Sequence, residues 1–493
     1  MEPLDYLKNI NNDWFIGHDN HKFSQLAEQL YLELIQLVQQ ETPPKIILAH
    51  SDPVHFLAGF IAACAANCPV FLCNPNWVKQ EWQQVFELVQ PNIIWNDCLD
   101  KQQEGTGVQG GRGELIIRLE KFGSPQTDTA TPVRGARLTR ARDRLNFSQN
   151  PKSKIQNRIM IPTGGSSGKI RFAIHTWETL IASVQGFQQY FQLRQINSFC
   201  VLPLYHVSGL MQFLRSFTTN GKFINLPFKT IEKSDPDIDP TEFFISLVPT
   251  GLQRLLQNPT SANWLSQFET VLLGGAPAWE ELLEQARIYG IRLAPTYGMT
   301  ETAAQIVTLK PEDFLKGYHN CGKVLPHAHI DIISPTNQIL GTNQIGIVTI
   351  EAKSLALGYY PNFFTQDKFQ VDDLGFIDEK GYLNIIGRNS NKIISGGENV
   401  YPNEVEAAIR ATNLVNDVCV IGMSDRTWGQ VVTAIYVPNH TSVTLAEIKV
   451  AIADKLTKFK QPKHWIALEN LPRNSQGKIN YEQLQEIATI YSQ

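Results

Sequence analysis

Residues Thr163, Gly164, Gly165, Ser166, Ser167, Gly168, Lys169, Ile170 and Arg171 read TGGSSGKIR between two apolar runs, IMIP and FAIHTW. Small residues in such a row build no core, but they let a backbone approach a polyanion and aim successive N–H groups at it. The hydroxyls of Thr163, Ser166 and Ser167 add donors, and Lys169 and Arg171 add positive charge. Phosphate binding is the chemistry this composition suits; a flexible surface turn is the competing reading. The loop is not that of a P-loop NTPase. Gly164 to Lys169 is one residue too short for GxxxxGK, and Ile170 stands where a metal-binding hydroxyl is required.

Further chemistry-bearing groups follow in order. Thr296, Tyr297 and Gly298 close the run IRLAPTYG with a ring that can stack a purine and a glycine that admits a close backbone approach. Thr300 and Glu301 come next, and a carboxylate there suits Mg2+ shared with ATP phosphates. The competing reading makes Tyr297 a core aromatic and Glu301 a solvated acid. Gly274 and Gly275 end the strand-like TVLLGG and offer bare backbone to an adenine. Asp373 and Arg388, fifteen positions apart, bracket a hairpin signal; together they suit ribose hydroxyls, or alternatively a cross-hairpin salt bridge. Lys478 lies in NSQGKI, where a lysine is ordinarily just solvated. In LPLYHVSGLMQFLRSF, His206 follows a strand-like segment and Ser208 opens a helix that carries Arg215. His206 is either an acyl-site contact or a core histidine. Arg215 either emerges at the surface or awaits an anion, because an unpaired charge is costly to bury.

These groups need a scaffold. SQLAEQLYLELIQLVQQ, KIILAH, HFLAGFIAACAANC and PVFLCNP alternate helical and strand-like patterns, which predicts a parallel sheet with helices on its faces. Residues 101–157 are Gly-, Arg- and Thr-rich and read as a mobile insertion; the Arg cluster has no interleaved aromatics, so a solvated loop outweighs a nucleic-acid arm. Alternation resumes after 157 and turns β-like over 345–386, with DEKG as a hairpin turn. The character changes again after Gly387-Arg388. The expected organisation is α/β: a large N-terminal domain, 1–388, of parallel-rich sheets with helices plus a β-rich subdomain, and a small mobile α+β C-terminal domain, 389–493.

Composition bounds the function. A chain of 493 residues exceeds one core. With 43% hydrophobic and 10% aromatic residues it is neither disordered nor fibrous. A net charge of −4 gives no pull toward nucleic acid. No apolar stretch reaches spanning length, and MEPLDYLKNINNDWF has no signal-peptide core. The seven cysteines, without CxxC spacing, read as buried thiols in a reducing compartment, so a cytoplasmic location is expected.

The order of the blocks TGGSSGKIR, GGAPA (274–278), YGMTET (297–302), DDLGFIDEKGYLNIIGR (372–388), ISGGENVYPNEVE (394–406) and NSQGKI (474–479) resembles the acyl-adenylate-forming superfamily of acyl-CoA synthetases, luciferases and peptide-synthetase adenylation domains. The resemblance runs from about residue 160 to the end. It implies ATP with Mg2+, and a thiol such as CoA as co-substrate. It assigns residues 163–169 to the triphosphate, and Gly274, Gly275, Ala276, Thr296, Tyr297 and Gly298 to the adenosine moiety. Thr300 and Glu301 then hold phosphate and Mg2+, Asp373 and Arg388 lie at the ribose, Gly396 and Gly397 at CoA, and Lys478 reaches the reacting carboxylate and α-phosphate. Two positions depart from the pattern. Ile170-Arg171 replaces the usual Pro-Lys, and Ser390 stands where a hinge aspartate is common.

Within that superfamily the PLxHxSG segment, SLVPTxLxRLL (246–256), VLLGGA and YGMTE resemble the o-succinylbenzoate–CoA ligases of menaquinone and phylloquinone synthesis. The resemblance implies an aromatic dicarboxylate substrate, whose second carboxylate would partner Arg215, with His206, Ser208 and Gln305 lining the same acid. Another aryl- or acyl-CoA ligase, a stand-alone adenylation domain and a non-catalytic nucleotide-binding protein remain alternatives.

Overall fold

The computed structural model describes residues 2–11, 13–39, 42–97, 158–164, 170–233, 238–395, 398–425, 427–473 and 479–491. The expected insertion at 101–157, loop residues Gly165, Ser166, Ser167, Gly168 and Lys169, and Gly396, Gly397 and Lys478 lie outside them.

Three short β-branched runs, Ile46–Ala49, Val70–Leu72 and Ile93–Asn96, pair in parallel, as their alternation with helices requires. The helix Pro53–Ala65 between the first two starts on Asp52, whose carboxylate accepts from the His55 amide, and Pro53 takes the first helical position. It is apolar all round and buried along almost its whole length. This sheet continues through Ile159–Gly164 to Ile170–His175, but here the pairing is antiparallel, with Thr163 opposite Arg171 and Gly164 opposite Ile170. The glycine-serine loop is thus the connection of a hairpin.

A second, eight-stranded sheet runs parallel from Phe15–Ile16 through Phe223–Asn225, Asn197–Cys200, Phe243–Leu247 and Thr270–Leu273 to Leu293–Met299. It then turns antiparallel into Ala304–Thr308 and Lys323–Val324. The helix Val207–Thr218 packs into the core shared by both sheets, among Trp14, Phe60 and Phe223. A four-stranded antiparallel sheet contains Ala328–Ile333, Gly346–Ala352, Phe369–Ile377 and Leu383–Arg388. Its last two strands are joined by the DEKG turn, closed by the Gly381 amide on the Asp378 carbonyl, with Gly381 at φ +79°.

Beyond Arg388 a separate sheet orders Glu398–Val400, Ile393–Ser395, Gly429–Pro438 and Val415–Asp425, with His464–Ala467 parallel to the long third strand. Helices Pro402–Arg410 and Leu445–Ile452 cover one face and Tyr481–Tyr491 the other, each burying its own apolar cluster. The α/β reading and the α+β character of the C-terminal part hold. Of the cysteines, Cys64, Cys68, Cys73, Cys200 and Cys419 are buried free thiols, but Cys321 is only partly so; Cys98 lies outside the described residues. No helix among the described residues is long and apolar enough to cross a membrane.

Candidate active site

The strand Leu293–Met299 ends in a short 3-10 turn, Thr300–Thr302, and the next two residues, Ala303 and Ala304, both sit at positive φ, +52° and +77°. That conformation costs an alanine about 1 kcal/mol or more, so surrounding bonds must hold it. They do. Ser183 Oγ donates to the Ala303 carbonyl at 2.7 Å, and Ser354 Oγ donates to that of Thr302 at 2.9 Å. His175 Nε2 lies 2.8 Å from the Thr300 carbonyl, and its Nδ1 lies 3.0 Å from Thr179 Oγ1. Burial pulls His175 down to about 4 and keeps it neutral, so Nε2–H donates to the carbonyl.

The strained turn aims Glu301. Glu301 is buried, and its Oε1 accepts from Tyr359 OH at 2.6 Å and Thr163 Oγ1 at 3.4 Å. The alternative of a solvated acid is excluded. Thr163, at the start of the glycine-serine loop, is thereby brought to Glu301 across two sheets. Arg171, opposite Thr163 in the hairpin, places its guanidinium 4.4 Å from the Tyr359 ring. Both donors land on one carboxylate oxygen, leaving Oε2 for a hard cation, so the donor chemistry fits Mg2+ carried with a nucleotide triphosphate.

At the strand ends expected to meet the nucleotide, Gly274 and Gly298 are demanded by space. A Cβ on Gly274 would meet Thr296 Oγ1 at 2.5 Å, and one on Gly298 would meet the Ala304 carbonyl at 2.1 Å. Gly275 takes φ +84° directly after, at the end of the strand Thr270–Leu273 and before Ala276. Tyr297 is partly buried against the apolar cluster that contains Ile306, Val307 and Leu383 and donates its hydroxyl to Asp373 Oδ2 at 2.7 Å. Burial, then the Asp373 charge, push its phenol far up. Asp373 stands directly across the hairpin from Arg388, whose Nε lies 3.5 Å from Oδ1. The salt-bridge reading is therefore realised; Arg388 is mostly exposed and Asp373 mostly buried.

The third group is the most unusual. His206 occupies the N-cap position of Val207–Thr218 without a side-chain capping bond, and the Ser208 carbonyl accepts from the Gln212 side-chain amide. Arg215, one turn before the helix end, is 3% exposed, so its surface alternative is excluded. Its Nη2 donates to Gln305 Oε1 at 2.6 Å, and its guanidinium lies 4.2 Å from the Phe187 ring centre. Among the described residues its Nε has no partner, and neither does Gln305 Nε2. Desolvation alone pulls its pKa to about 9; no described carboxylate offsets it. Gln305 lies across the ladder from Gly298, at a bulge that follows Tyr297, so the buried cation adjoins the strand end expected to meet the nucleotide.

At the junction, the Ser390 amide donates to Asp372 Oδ1 at 3.1 Å and its hydroxyl donates to Oδ2, while the Asn389 amide reaches the Asp372 carbonyl. A carboxylate at 390 is absent, and Asp372 of the partner strand Phe369–Ile377 brings one to it. Motif reading missed Asp372, Tyr359, His175 and His327. Strand alternation held a signal for the first, since adjacent Asp372 and Asp373 must face opposite sides.

A fold of this kind, with a glycine-serine hairpin loop beside a buried glutamate and an aspartate-arginine hairpin, belongs to nucleotide-dependent adenylate-forming enzymes. Residues 22–360 match the AMP-binding enzyme model and residues 404–478 that of the AMP-binding enzyme C-terminal domain; the chain belongs to this family. It is 33% identical over 339 residues to a 2-succinylbenzoate–CoA ligase of Enterococcus faecalis, covering 67% of this chain and 70% of that one. It is 34% identical over 342 residues to one of Listeria monocytogenes, covering 66% and 68%. Among solved structures, the o-succinylbenzoate coenzyme A synthetase of Bacillus subtilis in complex with AMP superposes with a TM-score of 0.77 at 22% identity, covering 98% of this chain and 97% of that one. The same enzyme with ATP and magnesium ion gives 0.73 at 23%, covering 94% of each chain.

Proposed function

We propose that this chain is an ATP-dependent 2-succinylbenzoate–CoA ligase. One observation carries the substrate reading: Arg215 is a buried guanidinium with no described carboxylate to offset it, beside the nucleotide side of the cleft. A monocarboxylic fatty acid has no use for such a cation, whereas an aromatic dicarboxylate brings a second carboxylate to it.

The reaction has two steps. The succinyl carboxylate attacks the ATP α-phosphorus and releases pyrophosphate, giving acyl-AMP; the CoA thiol then attacks the acyl carbon and AMP leaves. Neither step needs a protein nucleophile, so positioning and electrostatics carry the catalysis. Thr163 and the loop residues 164–169 receive the triphosphate, with Thr300 and Glu301 at its metal. The Mg2+ would be held by Glu301 and supplies neutralisation of phosphate charge. Gly274, Gly275, Ala276, Thr296, Tyr297 and Gly298 frame the adenosine, and Asp373 with Arg388 meets the ribose. His206, Ser208, Gln305 and Arg215 line the acid, Gly396 and Gly397 meet CoA, and Lys478 stabilises the charge that builds on carboxylate and α-phosphate. The domains are 1–388 and 389–493, turning at Ser390, which Asp372 holds. Location in the cytoplasm accords with the free buried thiols.

The test is pyrophosphate release with succinylbenzoate, ATP, Mg2+ and CoA, against benzoate, a fatty acid and an amino acid. Release that depends on succinylbenzoate and yields its CoA thioester is expected. Equal or greater release with a control acid overturns the assignment, and transfer to a carrier protein in place of CoA moves the chain to the adenylation domains.

A further inference from the structure

Gly186 sits in the interior of the helix Trp177–Phe191, where glycine is about 1 kcal/mol worse than alanine. Space explains it. A Cβ there would lie 1.8 Å from His327 Nδ1, with two more ring atoms inside 2.8 Å. The helix gives up a side chain so that an imidazole can enter. The next residue, Phe187, carries the Arg215 guanidinium on its ring. The Gly186-Phe187 pair therefore sets imidazole and guanidinium side by side. They come from different layers, since His327 immediately precedes the strand Ala328–Ile333 of the antiparallel sheet and its carbonyl is pinned by the Lys353 amide at 3.1 Å.

His327 is 8% exposed, Arg215 3% and Gln305 7%, yet among the described residues both ring nitrogens of His327, Nε of Arg215 and Nε2 of Gln305 have no partner. Buried polar atoms are nearly always bonded, so a contiguous set that finds no protein partner is suited to receive a polar ligand. Its free donors are one imidazole N–H, one guanidinium N–H and an amide NH2, and the net charge is positive. The complement is an acceptor-only anion with several lone pairs: a carboxylate.

We propose that His327 is a specificity-determining residue of the acyl pocket, completing with Arg215 and Gln305 the subsite that takes the substrate's second, aromatic carboxylate. This rests on the dicarboxylate reading above and adds a neutral donor to it. Burial and the adjacent Arg215 charge pull the imidazole to about 4, so it serves uncharged. One ring nitrogen donates its hydrogen to a carboxylate oxygen, while Arg215 supplies the charge.

His327→Phe keeps a ring and removes the donor; His327→Gln restores an N–H. Each is assayed by pyrophosphate release with succinylbenzoate and with the analogue that lacks the ring carboxylate. For His327→Phe, kcat/KM on succinylbenzoate should fall roughly 10- to 100-fold, as for one lost buried hydrogen bond to a charged group. The analogue and the KM for ATP should stay within about threefold, and His327→Gln should recover most of the discrimination. Equal loss on both acids, or unchanged discrimination in His327→Phe, overturns the role of His327 alone. A wild type that does not distinguish the two acids removes the dicarboxylate reading and the role together. Should the phenylalanine variant fail to fold, His327→Leu is read by the same outcomes.

Discussion

Replacing Arg215 by leucine should make the free protein more stable and the enzyme worse. Burial pulls the guanidinium to about 9, so keeping it charged at neutral pH costs on the order of 5 kcal/mol. The bond to Gln305 and the contact with Phe187 each return about 1–2 kcal/mol. Arg215→Leu removes all three, and the void left by a shorter side chain takes back about 1 kcal/mol. A net gain of roughly 0–2 kcal/mol is expected, raising Tm without substrates by up to about 2 °C for a chain of this length. The sign has a pH signature. Between about 9 and its ordinary range the unfolded chain holds this proton more tightly than the folded one, so wild-type stability rises with pH there. The advantage of the variant is therefore complete below about pH 9 and shrinks above it. On succinylbenzoate the KM should rise about 10²–10³, matching about 3–4 kcal/mol for a buried charge-assisted pair. Calorimetry at pH 8 and pH 10 and initial rates of pyrophosphate release measure both halves. A variant clearly less stable than wild type, or an equal loss on mono- and dicarboxylates, refutes the reasoning.

Gly186→Ala drives a methyl group into the His327 ring, so it should depress turnover of succinylbenzoate at least as much as His327→Phe, with a smaller effect on the analogue; unchanged kinetics would show that the ring is not seated there. Tyr297→Phe removes the 2.7 Å bond that fixes Asp373, and the KM for ATP should rise about 5- to 10-fold, for roughly 1–1.5 kcal/mol; a fall in Tm with an unchanged KM would make the bond purely structural. Lys478→Ala should abolish adenylation by about 10²–10³ yet leave thioester formation from supplied acyl-AMP intact; loss of both halves contradicts its role. His175 has a folded pKa of about 4, below its ordinary 6.5, so the unfolded chain binds the extra proton. The stability it contributes, on the order of 3 kcal/mol, is complete above pH 6.5 and is lost as pH falls toward 4. Urea midpoints should drop more steeply across that window for wild type than for His175→Gln, and parallel curves would remove His175 as the cause.

The motifs of the nucleotide side were legible because their chemistry is local. Gly274, Gly298 and the Asp373–Arg388 hairpin each answer to a backbone approach or a cross-strand register that short sequence distances encode. The supports were not. Glu301 is held by Thr163 and Tyr359, which lie 138 and 58 positions away, and no pattern within the turn names them. The glycine-serine loop illustrates the same limit, since its flanks gave two apolar runs without saying that they pair antiparallel.

Arg215 sharpens the point, because part of its fate could be read locally. Residues 209–217 are buried without a break, polar Gln212 and Ser216 included, so the helix leaves no solvent face for a cation to reach. Of the two readings left open for Arg215, the large apolar residues of LMQFLRSF favoured burial over a surface position. What the helix alone could not supply was the partner. A buried cation needs a negative charge, and among the described residues none acts on Arg215 or on His327 beside it. A site that keeps a desolvated cation, three unpartnered donors and a glycine-lined seat for an imidazole holds a less stable free state than an apolar core would. Because the donors already stand in place, little reorganisation is left for the arriving anion to drive, and the strain is relieved only by a substrate that brings its own second carboxylate.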